Sequence, residues 1–576
     1  MKKYTYILVL ATIALSGCNF LDKNPDSRAE INTKEKVRLL LVNAYTEANP
    51  APLMEFSSDN VIDNNAPDAY GHTKHLLPLE LMYDEIFAWE PVVSSMSQDS
   101  PQDIWGGCYM AIATCNEVLN AAAKLEEQGI DMTAEKAEAL LSRAYHHFLL
   151  ACVFCHAYKT EESSKNDLGL VYMTKSETEV SPQYVRESVT ETYRHIQEDL
   201  EEGLRLMNIS SPETYYSVPK YHFNSKAAHA FAARFYLYMR QWDKVIEHAN
   251  LVLGGYTTAE EIKENLLFDN YNAHVTCTSV SSESYAWVDA ASPSNLLMMA
   301  HMSQQPYTNF PDYGRYQCAG DALNYSLLGA GPIWDSRELV SSLSIWSAGS
   351  DQYGSFLAKN YFFFEYTDKV NGYGFIHAIT RQLTTNETLL CRAEAETMLG
   401  MKEDALRDLR AWCLAYDIND EKVMDHTITE QGDTIWCNLT ESKIKSFYRE
   451  GNKYAPVLHN NELGFAIDET VKPLLWCCLH FRRIETIHDG LRWMDLKRYG
   501  IEIKHIQGLN APDVLTWDDD RRAIQLPQTV LVAGMQPNPR QDAAASVSSD
   551  AVMPTENNEP KQLHASNDNM FVRATL

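Results

Sequence analysis

The sequence predicts a mainly α protein, a tetratricopeptide-like scaffold of helical hairpins with long irregular loop insertions. Three observations predict it. Residues 224–253 hold two helical stretches around a tight break: Ala227, Ala228, Phe231, Phe235, Tyr238 and Met239 share one face. After Arg240-Gln241 the spacing resumes through Trp242, Val245, Ile246, Ala249 and Leu253. Residues 386–416 echo that pattern, with Met239 set against Leu399, Ala233 against Ala393, Val245-Ile246 against Ala405-Leu406, and Gly400 at the break. Hairpins of this kind bury their apolar faces only against stacked neighbours. Between such stretches lie two long runs, 50–103 and 254–383, where periodicity lapses and Pro, Gly, Asn, Asp and aromatic rings accumulate.

The elements follow in order. Lys2 and Lys3 precede an apolar run, Tyr6 to Leu15, too short to span a bilayer, and Leu15-Ser16-Gly17-Cys18 completes a lipobox. Residues 1–17 are therefore expected to be a lipoprotein signal peptide, leaving Cys18 to be acylated with palmitate-class chains. Thr33 caps a helix to Asn49 striped by Val37, Leu40, Leu41, Ala44, Tyr45 and Ala48. After the first insertion, helices are expected from Ile104 to Leu125 and from Ala134 to Tyr158, and the capping box Ser188-Val189-Thr190-Glu191 opens another through Leu206. The first hairpin, the second insertion and the second hairpin come next. A polar excursion at 420–438 precedes a helix at 443–448 and a last helical stretch, 471–499. Residues 541–576 are Ala/Ser/Asn/Asp-rich and are expected to be a disordered tail.

Composition narrows the partners. The 576 residues carry a formal charge of −29, which becomes −31 once Lys2 and Lys3 are removed. So acidic a body, with no Lys/Arg-rich run bearing interleaved aromatics, excludes nucleic acid as a partner. The 31 tyrosines and 11 tryptophans exceed what helical hairpins need for packing.

At these motifs the chain resembles the SusD/RagB family of outer-membrane nutrient-binding lipoproteins. The resemblance rests on Cys18 with Phe20-Leu21-Asp22-Lys23-Asn24-Pro25, on Trp105 with Tyr109, Ile112 and Asn116-Glu117-Val118-Leu119, and on Arg143-Ala144. It continues through Lys226-Ala227-Ala228, Leu389-Leu390-Cys391-Arg392-Ala393-Glu394-Ala395 and Arg482-Arg483, then Gly490-Leu491-Arg492-Trp493-Met494-Asp495-Leu496-Lys497-Arg498 and Ile524-Gln525-Leu526-Pro527-Gln528. It implies a single SusD-like domain over 18–540: an N-terminal helical part, 18–253, a ligand-facing insertion, 254–385, and a C-terminal helical part, 386–540. It also implies a protein facing the cell exterior, lipid-anchored to the outer membrane, that binds a glycan and passes it to a SusC-like TonB-dependent transporter. A peptide ligand, as in the RagB branch, is the alternative. No catalysis, cofactor or metal is implied.

A sugar ring offers an apolar C–H face to a flat aromatic and an edge of hydroxyls to Asp, Asn or Arg. On that logic the expected ligand-binding residues are Trp89, Tyr83 and Asp63 in the first insertion, and Trp287, Tyr307, Tyr313, Tyr316 and Trp334 in the second. Trp89 leads them, because the family places ligand-contacting rings just before the helix that starts at Ile104. The charges between Arg482 and Arg498 are expected to pair with one another and with helix ends.

Other chemistry is set aside. Cys152-Val153-Phe154-Cys155-His156 has the spacing of a c-type haem attachment site but lies in an apolar helical run. Glu485-x-x-His488 and Glu502-x-x-His505 echo di-iron bundles, without the further glutamates such a site takes. The acidic stretch 59–68 lacks the spacing of a calcium loop. The remaining cysteines are expected to be buried thiols, a disulfide being open to an exported chain. A surface glycoside hydrolase, with two carboxylates across a cleft, and a pure interaction scaffold are the competing function classes.

Overall fold

A computed structural model describes residues 31–67, 71–177, 183–210, 216–309, 314–318, 330–334, 345–347, 355–416, 427–428, 434–435, 439–540 and 563–564. Both hairpins form where the periodicity places them. Asn224 caps Ser225–Tyr238 by accepting the Ala227 amide, Arg240 makes the break in the left-handed region at φ 60°, and Trp242–Leu253 returns. In the echo, Thr384 caps Thr385–Met398, Gly400 turns at φ 76°, and Lys402–Ala415 returns. The second hairpin packs directly on the first. Arg234 of one forms a buried ion pair with Glu387 of the other at 3.1 Å, so the two copies are stacked neighbours in space.

Helices Pro101–Glu126, Thr133–Phe154 and Val189–Asn208 extend the array on one side, and Lys472–Glu485 packs against the second hairpin on the other. Small residues permit the close approaches. A Cβ on Gly203 would meet Leu141 Cγ at 2.8 Å, and one on Gly107 would meet Thr46 Oγ1 at 2.6 Å. One continuous core runs from Leu53 and Trp89 through Phe148, Phe231 and Leu390 to Trp412 and Trp493. Among the described residues no helix is long and apolar enough to cross a membrane.

The insertions are more ordered than their composition suggests. The first contains short helices, Ala51–Phe56 and Met82–Phe87. The second contains Ala259–Leu266, Asn270–Thr276 and Val280–Trp287, and an antiparallel sheet in which Tyr373–Thr384 lies between Asn295–Met302 and Tyr361–Asp368. Thr258 and Ser279 supply capping boxes for two of those helices.

The Arg482–Arg498 motif is structural, as its charges suggest, and its partners reach well beyond the motif. Arg498 forms a bidentate pair with Glu394 at 2.7 and 3.0 Å and a second pair with Asp495 at 2.7 Å. Arg482 lies 3.4 Å from Asp495 and 3.6 Å from both Glu394 and Glu387, and Tyr499 donates to Glu394 at 2.6 Å. Arg492 and Arg483 hold Asp59 of the first insertion at 2.8 and 3.3 Å. Those cations keep the Asp59 carboxyl well below its usual range despite burial.

The turn after this helix gathers both insertions. His488 stands in the left-handed region at φ 68°; its amide donates to Glu55 at 3.0 Å and its carbonyl accepts from Gln305 at 2.5 Å. Lys359 caps the same helix end through the carbonyls of Glu485 and Ile487 and pairs with Asp489. Burial pushes the Glu55 carboxyl up from 4.5 to about 7. The folded state therefore holds a proton that the unfolded chain releases. The associated stability is full below pH 4.5 and is lost as pH rises to about 7. In Glu55→Gln this part of the stability-versus-pH curve is expected to flatten, by up to about 3 kcal/mol across the window in urea titrations. An unchanged slope would assign the titration to another group.

Candidate ligand-binding surface

Most of the expected binding residues lie in the core. Trp89 is 4% exposed; its indole donates to the Ser57 carbonyl at 2.9 Å and stacks on His505 at 4.1 Å, with Phe87 on the other face of that imidazole at 4.0 Å. Tyr83 is buried against Phe56. Asp63 is a structural knot: it takes Arg315 through both carboxylate oxygens and accepts the amides of Asn65 and Gly508, joining both insertions to the C-terminal part. Tyr316 is buried beside Phe87 and donates to Asp84 at 2.5 Å. Trp287 is buried under the guanidinium of Arg381, 4.1 Å above its ring. Trp334 is buried against Phe481. Tyr307 is half-buried on the short helix Gln305–Asn309. Tyr313 and the lipidation residue Cys18 lie outside the described residues. These residues pack the insertions internally, against one another and against the C-terminal part, so packing accounts for the six that are buried.

A different set of rings reaches solvent. In this sheet, Tyr361, Ile379 and Ala300 stand in one row, and Phe363, His377 and Met302 in the row two residues along. Residues two apart share a face, so these side chains form one surface. Phe363 is 38% exposed and stacks on His377 at 4.9 Å. Tyr285, 63% exposed on Val280–Trp287, meets Tyr361 edge-on at 5.8 Å. Tyr285 also neighbours half-buried Tyr221, whose hydroxyl is pushed up by burial and by that second phenol.

At Tyr221 and Ala300 this surface runs into a groove of about 760 Å³. One wall is the helix Pro101–Glu126, kept flat by Gly106 and Gly107 and edged by Met110; the other is formed by residues 42–48 and by Tyr221-His222. Tyr45 and His222 line the groove, and both are tethered from behind by the buried carboxylate of Glu138, at 2.7 and 2.8 Å. The polar edge of the groove carries Asn43, Glu47 and Asp103. Burial, and then the charge of Glu47, push the Asp103 carboxyl up to about 6. Flat rings beside convergent hydroxyl-binding groups suit a ligand with apolar faces and polar edges.

A second pocket, about 250 Å³, lies against Trp105, Tyr109 and Ile112 of the same helix, closed by Met173, Tyr184 and Met535. It is smaller and largely apolar, with Asn116, Lys175 and Glu177 as its amide and charged lining.

The residues set aside on sequence are also accounted for. Cys152 and Cys155 are buried in helix packing, and the Lys497 ammonium caps their carbonyls at 2.9 and 2.6 Å. Glu485 accepts from Trp412 and Tyr416, while His505 hydrogen-bonds the carbonyls of Phe87 and Ser58. Among the described residues ten cysteines form no disulfide, and nine of them are buried. Among the described residues no group of three or more His, Cys, Asp or Glu side chains could hold a metal ion.

Stacked hairpins carrying an aromatic sheet face and an open groove define a helical-repeat scaffold. Residues 19–237 match the SusD-like family described as starch-binding, associating with the outer membrane. A SusD superfamily protein from Bacteroides fragilis shares the fold at TM-score 0.54 and 15% identity, over 87% of this chain and 98% of its own. A protein from Bacteroides vulgatus described as sugar binding does so at 0.57 and 17%, over 89% and 99%. A laminarin-binding SusD-like protein gives 0.50 and 15%, over 88% and 99%. Curated proteins yield no match. The chain thus carries the SusD-like family match over residues 19–237 and shares the fold of SusD superfamily proteins over most of its length.

Proposed function

We propose that this protein is an outer-membrane lipoprotein, anchored through Cys18, that binds a glycan along the groove and the adjoining sheet face and passes it to a SusC-like TonB-dependent transporter. The observation that carries this reading is the run of solvent-facing rings, Tyr285, Tyr361 and Phe363, leading into the groove at Tyr221. The starch-binding description of the matched family and the laminarin-binding description of one structural neighbour support a glycan over a peptide. Rings stack on sugar faces, and Asn43, Glu47 and Asp103 satisfy the hydroxyl edge.

The test is calorimetric titration of the full chain with a panel of oligosaccharides, beside the double variant Tyr285→Ala/Phe363→Ala. Each ring is worth roughly 1 kcal/mol, so the pair is expected to weaken binding by at least about tenfold. The urea midpoint should stay within about 0.5 kcal/mol of the parent, because both side chains are exposed. Equal affinity in the double variant would remove the sheet face from the site. Reducing ends are measured in the same samples, since Glu47 and Asp103 share the groove and a hydrolase uses such a pair; their release would move the protein to the enzyme class.

A further inference from the structure

The acidic and basic side chains that line the groove, among the described residues, are of one sign. Among the described residues its lining contains two carboxyl-bearing side chains, Glu47 and Asp103, and no lysine or arginine. Behind the wall stands a third carboxylate, Glu138, which is fully buried and takes hydrogen bonds from Tyr45, Tyr216 and His222. Where the sheet face continues, Glu365 pairs with His377 at 2.9 Å and is 62% exposed. The cations nearest in sequence are used elsewhere. Lys220, next to Tyr221, donates to the Ser292 carbonyl, and Arg38, on the first helix, pairs with Glu135. The whole chain carries a formal charge of −29.

An anion entering this groove meets carboxylates at the hydroxyl-binding edge and no cation to replace its lost hydration, which is the costly way to bury a charge. A neutral sugar meets none of that cost, because carboxylates accept its hydroxyl protons. Burial raises the Asp103 carboxyl, and the charge of Glu47 adds to it in a smaller measure.

We propose that the groove selects uncharged glycans and rejects polyanionic ones, so that uronate-rich, sulfated and phosphorylated polymers are not its ligands and Glu47 and Asp103 are the residues that set this preference. The proposal rests on the glycan-binding reading above, with which it shares the groove.

The experiment titrates the full chain with neutral β-glucan, α-glucan and mannan oligosaccharides, and with oligogalacturonate, oligoalginate and heparin fragments, at 20 mM and 300 mM salt, these being concentrations about a factor of three to four apart in screening length. The same series uses Glu47→Gln/Asp103→Asn, with a circular-dichroism melt to verify folding. At low salt at least one neutral oligosaccharide is expected to bind on the order of tenfold or more tightly than every anionic one. The gap should narrow in high salt and in the double variant. An anionic oligosaccharide bound as tightly as the best neutral one would overturn the charge preference while leaving the glycan reading intact. A gap unchanged in the folded double variant would overturn the roles of Glu47 and Asp103. No binding of any oligosaccharide would instead overturn the glycan reading and this proposal with it.

Discussion

Glu394→Gln is expected to cost about 3–5 kcal/mol of stability, read as a fall in the urea midpoint, because it leaves two buried guanidinium groups short of a counter-charge. Glu394 accepts Arg498 through both oxygens, accepts the Tyr499 hydroxyl, and lies 3.6 Å from Arg482. Glu394, Arg482 and Asp495 are fully buried, and Arg498 is 1% exposed. Coulombic attraction in this dry interior offsets the desolvation of each ion only while the set is complete. Against a total stability of about 5–15 kcal/mol, losing one member removes a large fraction. A second variant separates the charge from the packing. Glu394→Gln/Arg498→Met removes the pair together and should recover part of the loss, since a matched apolar replacement avoids the unpaired charge. A single variant within about 1 kcal/mol of the parent would show that water reaches the cluster and that it does not clamp the last helices to the second hairpin.

Trp89→Ala is expected to cost about 3–5 kcal/mol as well, by a different route. The indole occupies a layer with His505 and Phe87, and its N–H satisfies the Ser57 carbonyl. Truncation opens a cavity, leaves that carbonyl unpaired and withdraws one face of the imidazole stack. Trp89 also sits at φ 54°, a backbone setting that its surroundings must hold. The melting temperature of the variant should fall steeply. Glycan affinity, measured well below the melt, should remain within about twofold. A stable variant with lost affinity would return Trp89 to the ligand and reverse the assignment made here.

The hairpins were legible because their signal is local. Apolar spacing, the Arg240 and Gly400 breaks and the capping residues act within a few turns of helix, and the structure forms them at those positions. That the hairpins stack followed from their exposed apolar faces, though the Arg234–Glu387 pair joining them did not, since it spans 153 residues. The site was less legible for a physical reason. A ring in a loop-rich stretch serves equally to seat the loop or to meet a ligand, and composition does not separate the two. Trp89, Tyr316 and Trp334 seat loops. The exposed rings stood in a run that could have been recognised: Tyr361-Phe362-Phe363-Phe364-Glu365-Tyr366 alternates across two sheet faces, and a strand there must leave some rings open. The groove needed three dimensions, because its walls come from residues 42–48, 103–114, 221–222 and 298–300.

The most direct test of where a ligand sits is a crystal structure of the protein soaked with a neutral hexasaccharide. The expected density is a chain of sugar rings lying over Tyr285 and Phe363 and continuing between Tyr221 and Met110, with hydroxyls toward Asn43 and Asp103. Sugar seated instead against Trp105 and Tyr109 in the smaller pocket, with the groove empty, would contradict it.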